Sequence, residues 1–153
     1  MDTQDSDVNL AELMAGIEEM ISRHYKAHAE KFTQYRDFWE KIAAEEVDHA
    51  ASIRDLYAKA GRGLLTFNES RFNKRSVQEV YAQMEIMLPR FLQQAASMKA
   101  ALQSSLSVES LLLERKFFEV FETDDADIKA VLARLARETG EHRERIEQLL
   151  KQV

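Results

Sequence analysis

Apolar residues recur three and four positions apart along most of the chain, which is the spacing of one buried face of an α-helix. Four glycines and one proline in 153 residues leave few positions that interrupt these runs. The pattern predicts five helices: from near Asn9 to about Glu30, from a turn near Thr33 to Gly61, from Ser76 onward, from near Ser97 to about Glu122, and from a cap near Asp124 to the C-terminus. The predicted fold class is therefore all-α.

The connections between these predicted helices differ in length. Short turns near Thr33 and Asp124 join the first and the last pair, and a short turn forces the two helices that it joins to lie antiparallel. Residues 64 to 75, LLTFNESRFNKR, form the longest polar stretch and are predicted to lie in a crossover between the pairs. The pattern predicts a four-helix bundle of two antiparallel hairpins joined by a long crossover that contains an additional helix.

The additional helix carries two local signals. Ser76 and Glu79 match a capping box, in which a serine side chain caps the helix and a glutamate reaches back to it. Pro89 is expected to kink or end a helix, because proline lacks a backbone N–H. Residues 1 to 153 are predicted to form a single domain, with residues 1 to 8 as a flexible N-terminus.

The predicted inward faces of four helices each carry one glutamate among apolar residues, and two of them add a histidine. The six residues are Glu18, Glu46, His49, Glu109, Glu138 and His142. Four ionised carboxylates in one core would repel each other, whereas two divalent cations would balance their formal charge of −4. Glu-x-x-His on each of two helices, with one glutamate from each of the other two, is the arrangement of di-iron and di-manganese carboxylate bundles.

Two of these assignments leave alternatives. Glu114 lies on a different stripe of the fourth helix and competes with Glu109. In the last helix the Glu-x-x-His spacing falls on Thr139, so Glu138 either binds the metal from four residues before His142 or is solvated beside it. A π-bulge at Gly140 would let the longer spacing present both side chains to one metal site.

The chain resembles the ferritin-like superfamily, and in particular its rubrerythrin-type proteins. The resemblance covers most of residues 10 to 150 and rests on Glu18 with Tyr25 seven residues later, and on the stretches FWEKIAAEEVDHA, VESLLLERKFFEVFE and LARETGEHRERI. It implies a di-iron centre that uses dioxygen or hydrogen peroxide, commonly in a homodimer. Oxygen-dominated ligands suit iron, with manganese also possible.

Composition narrows these expectations. The chain has no cysteine, which excludes a rubredoxin-like iron centre and disulfides within it, so electrons are expected from an external donor. A net charge of −6 argues against nucleic-acid binding. No apolar run approaches the roughly 20 residues that span a bilayer. The acidic N-terminus lacks an apolar signal segment, so a cytoplasmic location is predicted.

The predicted function is oxidation of Fe(II) with dioxygen or peroxide, as an oxidase, a peroxidase or an iron-handling protein. Tyr25 is expected either to donate a hydrogen bond to a ligand carboxylate or to be a plain core residue. His24 and His28 are expected at the surface or a helix edge, while Glu45 and Glu141 should face solvent. The alternative function is a ferritin-like binding or assembly module with an incomplete or non-catalytic metal site, which Thr139 favours.

Overall fold

The computed structural model describes residues 3–60, 62–64, 66–67, 74–114 and 121–153. Five helices account for most of them: α1 Thr3–Lys31, α2 Arg36–Ala60, α3 Lys74–Gln94, α4 Met98–Glu114 and α5 Ala126–Leu150. A short 3₁₀ turn, Thr33–Tyr35, joins α1 to α2. The all-α class is confirmed, with one minimal addition: β1, Thr66–Phe67, pairs antiparallel with β2, Phe121–Glu122.

Two predicted helix starts differ from the structure, and a third agrees with it. α1 begins at Thr3 rather than near Asn9, so residues 3 to 8 are helical. α3 begins at Lys74, so Ser76 lies inside the helix and is not its N-cap. α5 is capped by Asp125, in the region predicted around Asp124, because the Asp125 side chain accepts the Ile128 N–H at 3.0 Å.

The other boundaries bear on the crossover and the fourth helix. Ser97 caps α4 as predicted, since its hydroxyl accepts the Ala100 N–H at 3.1 Å. The predicted extension of this helix to Glu122 is wrong at its end, because Phe121 and Glu122 form β2 and residues 115 to 120 lie outside the described residues. Pro89 does not end α3, which continues to Gln94 with Pro89 on its exposed face.

Helices α1 and α2 pack antiparallel. Tyr25 meets Trp39 with ring centroids 5.5 Å apart, while farther along the pair Arg54 of α2 bonds Glu12 of α1 at 3.1 Å. The seam predicted for α2 is buried throughout; its members are Trp39, Ile42, Glu46, His49, Ile53 and Leu56. The Trp39 indole N–H donates to the Met98 sulfur at 3.4 Å, which ties this pair to the start of α4.

The remaining helices complete the interior. α5 runs antiparallel to α2, since Arg134 bonds Ser52 and Arg145 bonds Glu45, both at 2.8 Å. α4 packs against α5, and α3 packs mainly against α1. Gly16 of α1 lies so close to α3 that an added Cβ would be 3.0 Å from the Tyr81 ring. None of the helices in the described part of the chain is long and apolar enough to cross a membrane.

Two glycines with open surroundings should respond oppositely to alanine. A Cβ added at Gly140, inside α5, or at Gly63, which has φ of +77°, would meet no atom within 4 Å. Gly140→Ala is expected to raise the free energy of unfolding by about 0.5–1 kcal/mol, because alanine is the better helix former. Gly63→Ala should lower it by about 1 kcal/mol, because alanine disfavours positive φ. Urea denaturation of metal-free protein measures both; destabilisation by Gly140→Ala would contradict a regular α5 at this position.

Candidate metal centre

Five buried polar side chains from four helices meet in the interior. They are Glu18 from α1, Glu46 and His49 from α2, Glu109 from α4 and His142 from α5. Each lies on the buried face of its helix, in line with the apolar residues of the core, so the helical period that buries the core also brings these groups together. All five are at most 1% exposed, and no solvent shell stabilises their charges.

Glu46 lies between the two histidines. Its Oε2 is 3.4 Å from His49 Nδ1, and its Oε1 is 2.8 Å from His142 Nδ1. Glu18 Oε2 lies 4.0 Å from His49 Nδ1, while Glu109 Oε1 lies 3.6 Å from His142 Nδ1. The group therefore divides into two half-sites, Glu18 with His49 and Glu109 with His142, which share Glu46.

Most inward-facing atoms of this group lack a well-aligned hydrogen bond. Among the described residues, nine buried side-chain nitrogen or oxygen atoms lack a hydrogen-bond partner, and seven of them belong to the two half-sites and Glu46. These are both carboxylate oxygens of Glu18 and of Glu46, Oε2 of Glu109, and Nδ1 of His49 and of His142. Buried polar atoms normally have partners, so seven such atoms in one place could bind a ligand.

The outer nitrogen of each histidine is held by a glutamate from the opposite helix. His49 Nε2 lies 2.8 Å from Glu138 Oε2, and His142 Nε2 lies 2.9 Å from Glu45 Oε2. Because an ionised carboxylate only accepts, Nε2 carries the hydrogen and donates it. In a neutral imidazole this leaves the lone pair on Nδ1, which faces Glu46. Metal-binding histidines are commonly oriented by such a carboxylate.

Two arginines hold these outer glutamates. Arg134 Nη1 donates to Glu138 Oε1 at 3.4 Å, and Arg145 Nη2 donates to Glu45 Oε2 at 2.8 Å. All four side chains are partly exposed, so the positive charges lie at the rim of the group and not inside it. Each histidine is thus the inner end of a chain that runs from the imidazole through a carboxylate to a guanidinium.

Helices α2 and α5 contribute in a reciprocal way. Glu45 directly precedes Glu46 and bonds the histidine of α5, while Glu138 directly precedes Thr139 and bonds the histidine of α2. Both helices place their histidine four residues after this outer glutamate. An approximate two-fold relation therefore connects the two helices, and it pairs Thr139 with Glu46.

The two predictions for the Glu138 region are corrected. Glu138 bonds the outer nitrogen of His49, with its side chain 22% exposed, and does not join the inner carboxylates. The π-bulge interpretation is wrong, because α5 is regular α-helix through Gly140. Thr139 takes the buried position, and its hydroxyl donates to the Leu135 carbonyl at 2.9 Å.

The structure places the other expected site residues as follows. The Tyr25 hydroxyl donates to Glu109 Oε1 at 2.6 Å, the hydrogen bond expected of a tyrosine beside a ligand carboxylate. Glu109 is the residue of α4 that reaches the group, and the side chain of its alternative, Glu114, lies outside the described part. Glu45 was expected in solvent but bonds His142, whereas Glu141 is exposed as expected.

The expectation that His24 and His28 lie at the surface is wrong. Both are buried, and their Nε2 atoms lie 2.9 Å apart. Helix α3 covers His24, which lies in a groove with Met84 and Leu88. His28 packs on Trp39 of α2 with ring centroids 4.7 Å apart. Burial lowers the pKa of His24 to about 4 and of His28 to about 3, so the pair is uncharged at neutral pH.

The three inner carboxyls cannot all be ionised without metal. Burial and the neighbouring Glu46 raise the pKa of Glu18 well above its usual range and that of Glu109 to about 7. Burial also disfavours the charged form of Glu46, but Glu18 and the two imidazoles outweigh it and lower the pKa of Glu46. Burial would lower the pKa of each histidine, yet the carboxylates overcome it, raising the pKa of His49 and bringing that of His142 to about 10. Metal would have to displace these protons.

The donor atoms fit a metal ion. One ligand atom each from Glu46, His49 and His142 can be chosen so that all lie within 4.8 Å of one another. The donors are carboxylate oxygens and imidazole nitrogens, the types that bind divalent first-row metals. This buried group could hold a metal ion, and the unpartnered atoms of Glu18 and Glu109 lie where they could add to it.

The chain matches no protein-family model, no curated protein and no solved structure. Inference about its function therefore rests on the geometry of the buried group and on the residues that hold it.

The metal-free protein should lose stability as the Glu109 carboxyl ionises. A carboxyl whose pKa in the folded state is raised stabilises the fold fully below its ordinary value of 4.5, and this stabilisation is lost as the pH rises through about 7. Glu109→Gln keeps the oxygen that accepts from Tyr25 but cannot ionise. Between pH 5 and 8.5 the wild type should therefore lose up to about 3 kcal/mol of unfolding free energy relative to this variant. Parallel pH profiles in urea denaturation would contradict the raised pKa.

The outer glutamates should control metal affinity without being ligands. Glu45→Ala and Glu138→Ala remove the acceptor that orients one imidazole each, so each should weaken metal binding about 10- to 100-fold. Glu141→Ala, an exposed glutamate on α5, is the matched control and should bind as the wild type does. Calorimetric titration with Mn(II) measures all three; equal affinity in the four proteins would mean that the outer pairs do not orient the histidines.

Proposed function

We propose that the protein is a ferritin-like dinuclear metal protein that oxidises Fe(II) with dioxygen or hydrogen peroxide. The observation that carries the proposal is the set of seven unpartnered buried atoms, which come from four helices and surround Glu46. Helix order supports it too: α1 with α2 and α4 with α5 would be the two hairpins of a ferritin-like bundle, and α3 the additional helix in the crossover.

Each half-site would hold one ion. Glu18, His49 and one oxygen of Glu46 would bind the first, and Glu109, His142 and the other oxygen of Glu46 the second. This assignment follows from the distances, since Glu46 presents a different oxygen to each histidine. Ligands rich in carboxylate oxygen favour iron or manganese over copper and zinc, and the chain has no thiolate to change that preference.

A pair of iron ions would supply the electrons that reduce dioxygen or peroxide. The chain would fix the ligands and exclude water, since the inner residues are almost fully buried. Burial and the neighbouring Glu109 raise the pKa of Tyr25, so its hydroxyl stays protonated and would hold Glu109 in place. Electrons for further turnovers would come from an external donor. We also propose that the protein forms a homodimer, as the resemblance to rubrerythrin-type proteins implies.

A second candidate function is a binding or assembly module whose metal site does not turn over. Thr139 supports it, because a neutral side chain takes the position related to Glu46 and leaves three inner carboxylates instead of four. Such a protein would bind metal weakly or not at all, and it would not oxidise Fe(II) faster than buffer does.

Metal content separates the two candidates and tests the role of Glu46. Anaerobic addition of Fe(II) should load about two ions per chain. Glu46→Gln should lower this to one ion or none, because both half-sites lose a ligand oxygen, while Glu141→Gln should leave it unchanged. Elemental analysis after desalting gives the count, and absence of bound iron in the wild type would defeat the dinuclear proposal.

Oxidation is measured on the same samples. When air or peroxide is admitted, the near-ultraviolet absorption of ferric iron should grow faster in the wild type and Glu141→Gln than in Glu46→Gln or in buffer. Two bound ions with no acceleration would favour the non-catalytic candidate.

A further inference from the structure

The inner group has three carboxylates, and the position on α5 that corresponds to Glu46 of α2 carries none. Glu45 and Glu138 occupy equivalent positions, because each bonds the outer nitrogen of the other helix's histidine. The residue after each of them then points to the same interior from opposite helices. On α2 that residue is Glu46, which presents one oxygen to each half-site; on α5 it is Thr139, which is buried.

Thr139 does not replace the carboxylate chemically. Its hydroxyl is neutral and already donates to the Leu135 carbonyl at 2.9 Å, within its own helix. The preceding residue, Glu138, has a carboxylate, but this already accepts hydrogen bonds from His49 and Arg134. Nothing on the described part of α5 therefore supplies the negative charge that Glu46 supplies from α2.

Charge balance identifies what is missing, if the proposed function holds. The ionised carboxyls of Glu18, Glu46 and Glu109 carry −3, and two divalent cations carry +4, which leaves +1 in an interior where uncompensated charge is costly. A neutral water molecule would leave this charge in place, and a dianion would reverse it to −1. Hydroxide and a monocarboxylate would both cancel it, but only a monocarboxylate also offers two oxygens, one for each half-site, as Glu46 does.

We propose that the metal-loaded protein takes a small monocarboxylate from solution, of the size of formate, at the position beside Thr139 that faces Glu46. The anion is the fourth carboxylate of the centre, bound from outside instead of built into α5. Its binding is coupled to metal binding, because each favours the other through charge. The wild type is therefore a protein whose metal affinity depends on a small organic acid.

The test is a titration of metal-free protein with Co(II), which needs no turnover. The titration is done in sodium formate and in sodium perchlorate at equal ionic strength. The formate concentration is set to about ten times the dissociation constant of formate from the metal-loaded protein. The affinity for Co(II) should then be about tenfold higher than in perchlorate, as linkage requires of an anion that binds only the metal-loaded form. Thr139→Glu supplies the carboxylate from the chain, so its Co(II) affinity should be high and indifferent to formate.

Two controls separate charge from shape. Thr139→Gln fills the position without charge, so it should bind Co(II) more weakly than Thr139→Glu and respond little to formate. Thr139→Val keeps the space and removes the hydroxyl, so it should respond to formate as the wild type does. Circular dichroism verifies that each metal-free variant is folded. If Thr139→Glu does not fold, the difference in wild-type Co(II) affinity between formate and perchlorate alone tests the anion site.

The outcomes distinguish this inference from the proposed function. Two bound Co(II) ions with equal affinity in formate and perchlorate would overturn the anion site and leave the dinuclear centre standing. An undiminished formate response in folded Thr139→Glu would also overturn it, because formate would then act elsewhere. Failure of the wild type to bind Co(II) in either salt would overturn both.

Discussion

Three carboxyls and two imidazoles share an interior that is otherwise aliphatic and aromatic, and their mutual electrostatics constrain the surrounding helices. Taken from water, such groups are destabilising unless they find partners or change protonation. Here Glu46 stays ionised between protonated neighbours in the metal-free state, which makes the interior tolerable but leaves most of its polar atoms without hydrogen bonds. A group that concentrates charge in this way could hold a cation, whereas packing alone would favour apolar residues at the same positions.

The helices respond by supporting the imidazoles from outside. A carboxylate and an arginine behind each histidine fix which ring nitrogen faces inward, so the ligand atoms are oriented before any metal arrives. These supports are exchanged between α2 and α5, and the two helices therefore cannot slide past one another without breaking both. The hydrogen bond from Tyr25 to Glu109 plays the corresponding part between α1 and α4. The same hydrogen bonds therefore fix both the geometry of the buried group and the packing of the helices.

Sequence periodicity was sufficient for the helices and for most of the inner residues. The seam of α2 alternates three- and four-residue steps, and every member is buried. In α5 strict alternation from Leu135 leads to Thr139 and then to His142, but threonine carries no ligand signal, and the adjacent Glu138 does. Residue chemistry therefore favoured the wrong position. The burial of His24 depends on α3, and that of His28 on Trp39 of α2. The β1–β2 pair joins distant segments, so none of these features follows from a local pattern.

Trp39 gives the molecule a property that its packing role does not suggest. It is the single tryptophan of the chain, is fully buried, and packs beside the tyrosine that bonds Glu109. Its indole emission is therefore expected at the blue end of the range and should move red when the interior opens. A paramagnetic ion bound at Glu109 would be separated from the indole by the Tyr25 ring and should quench that emission. Tryptophan fluorescence would then report metal binding without an added label.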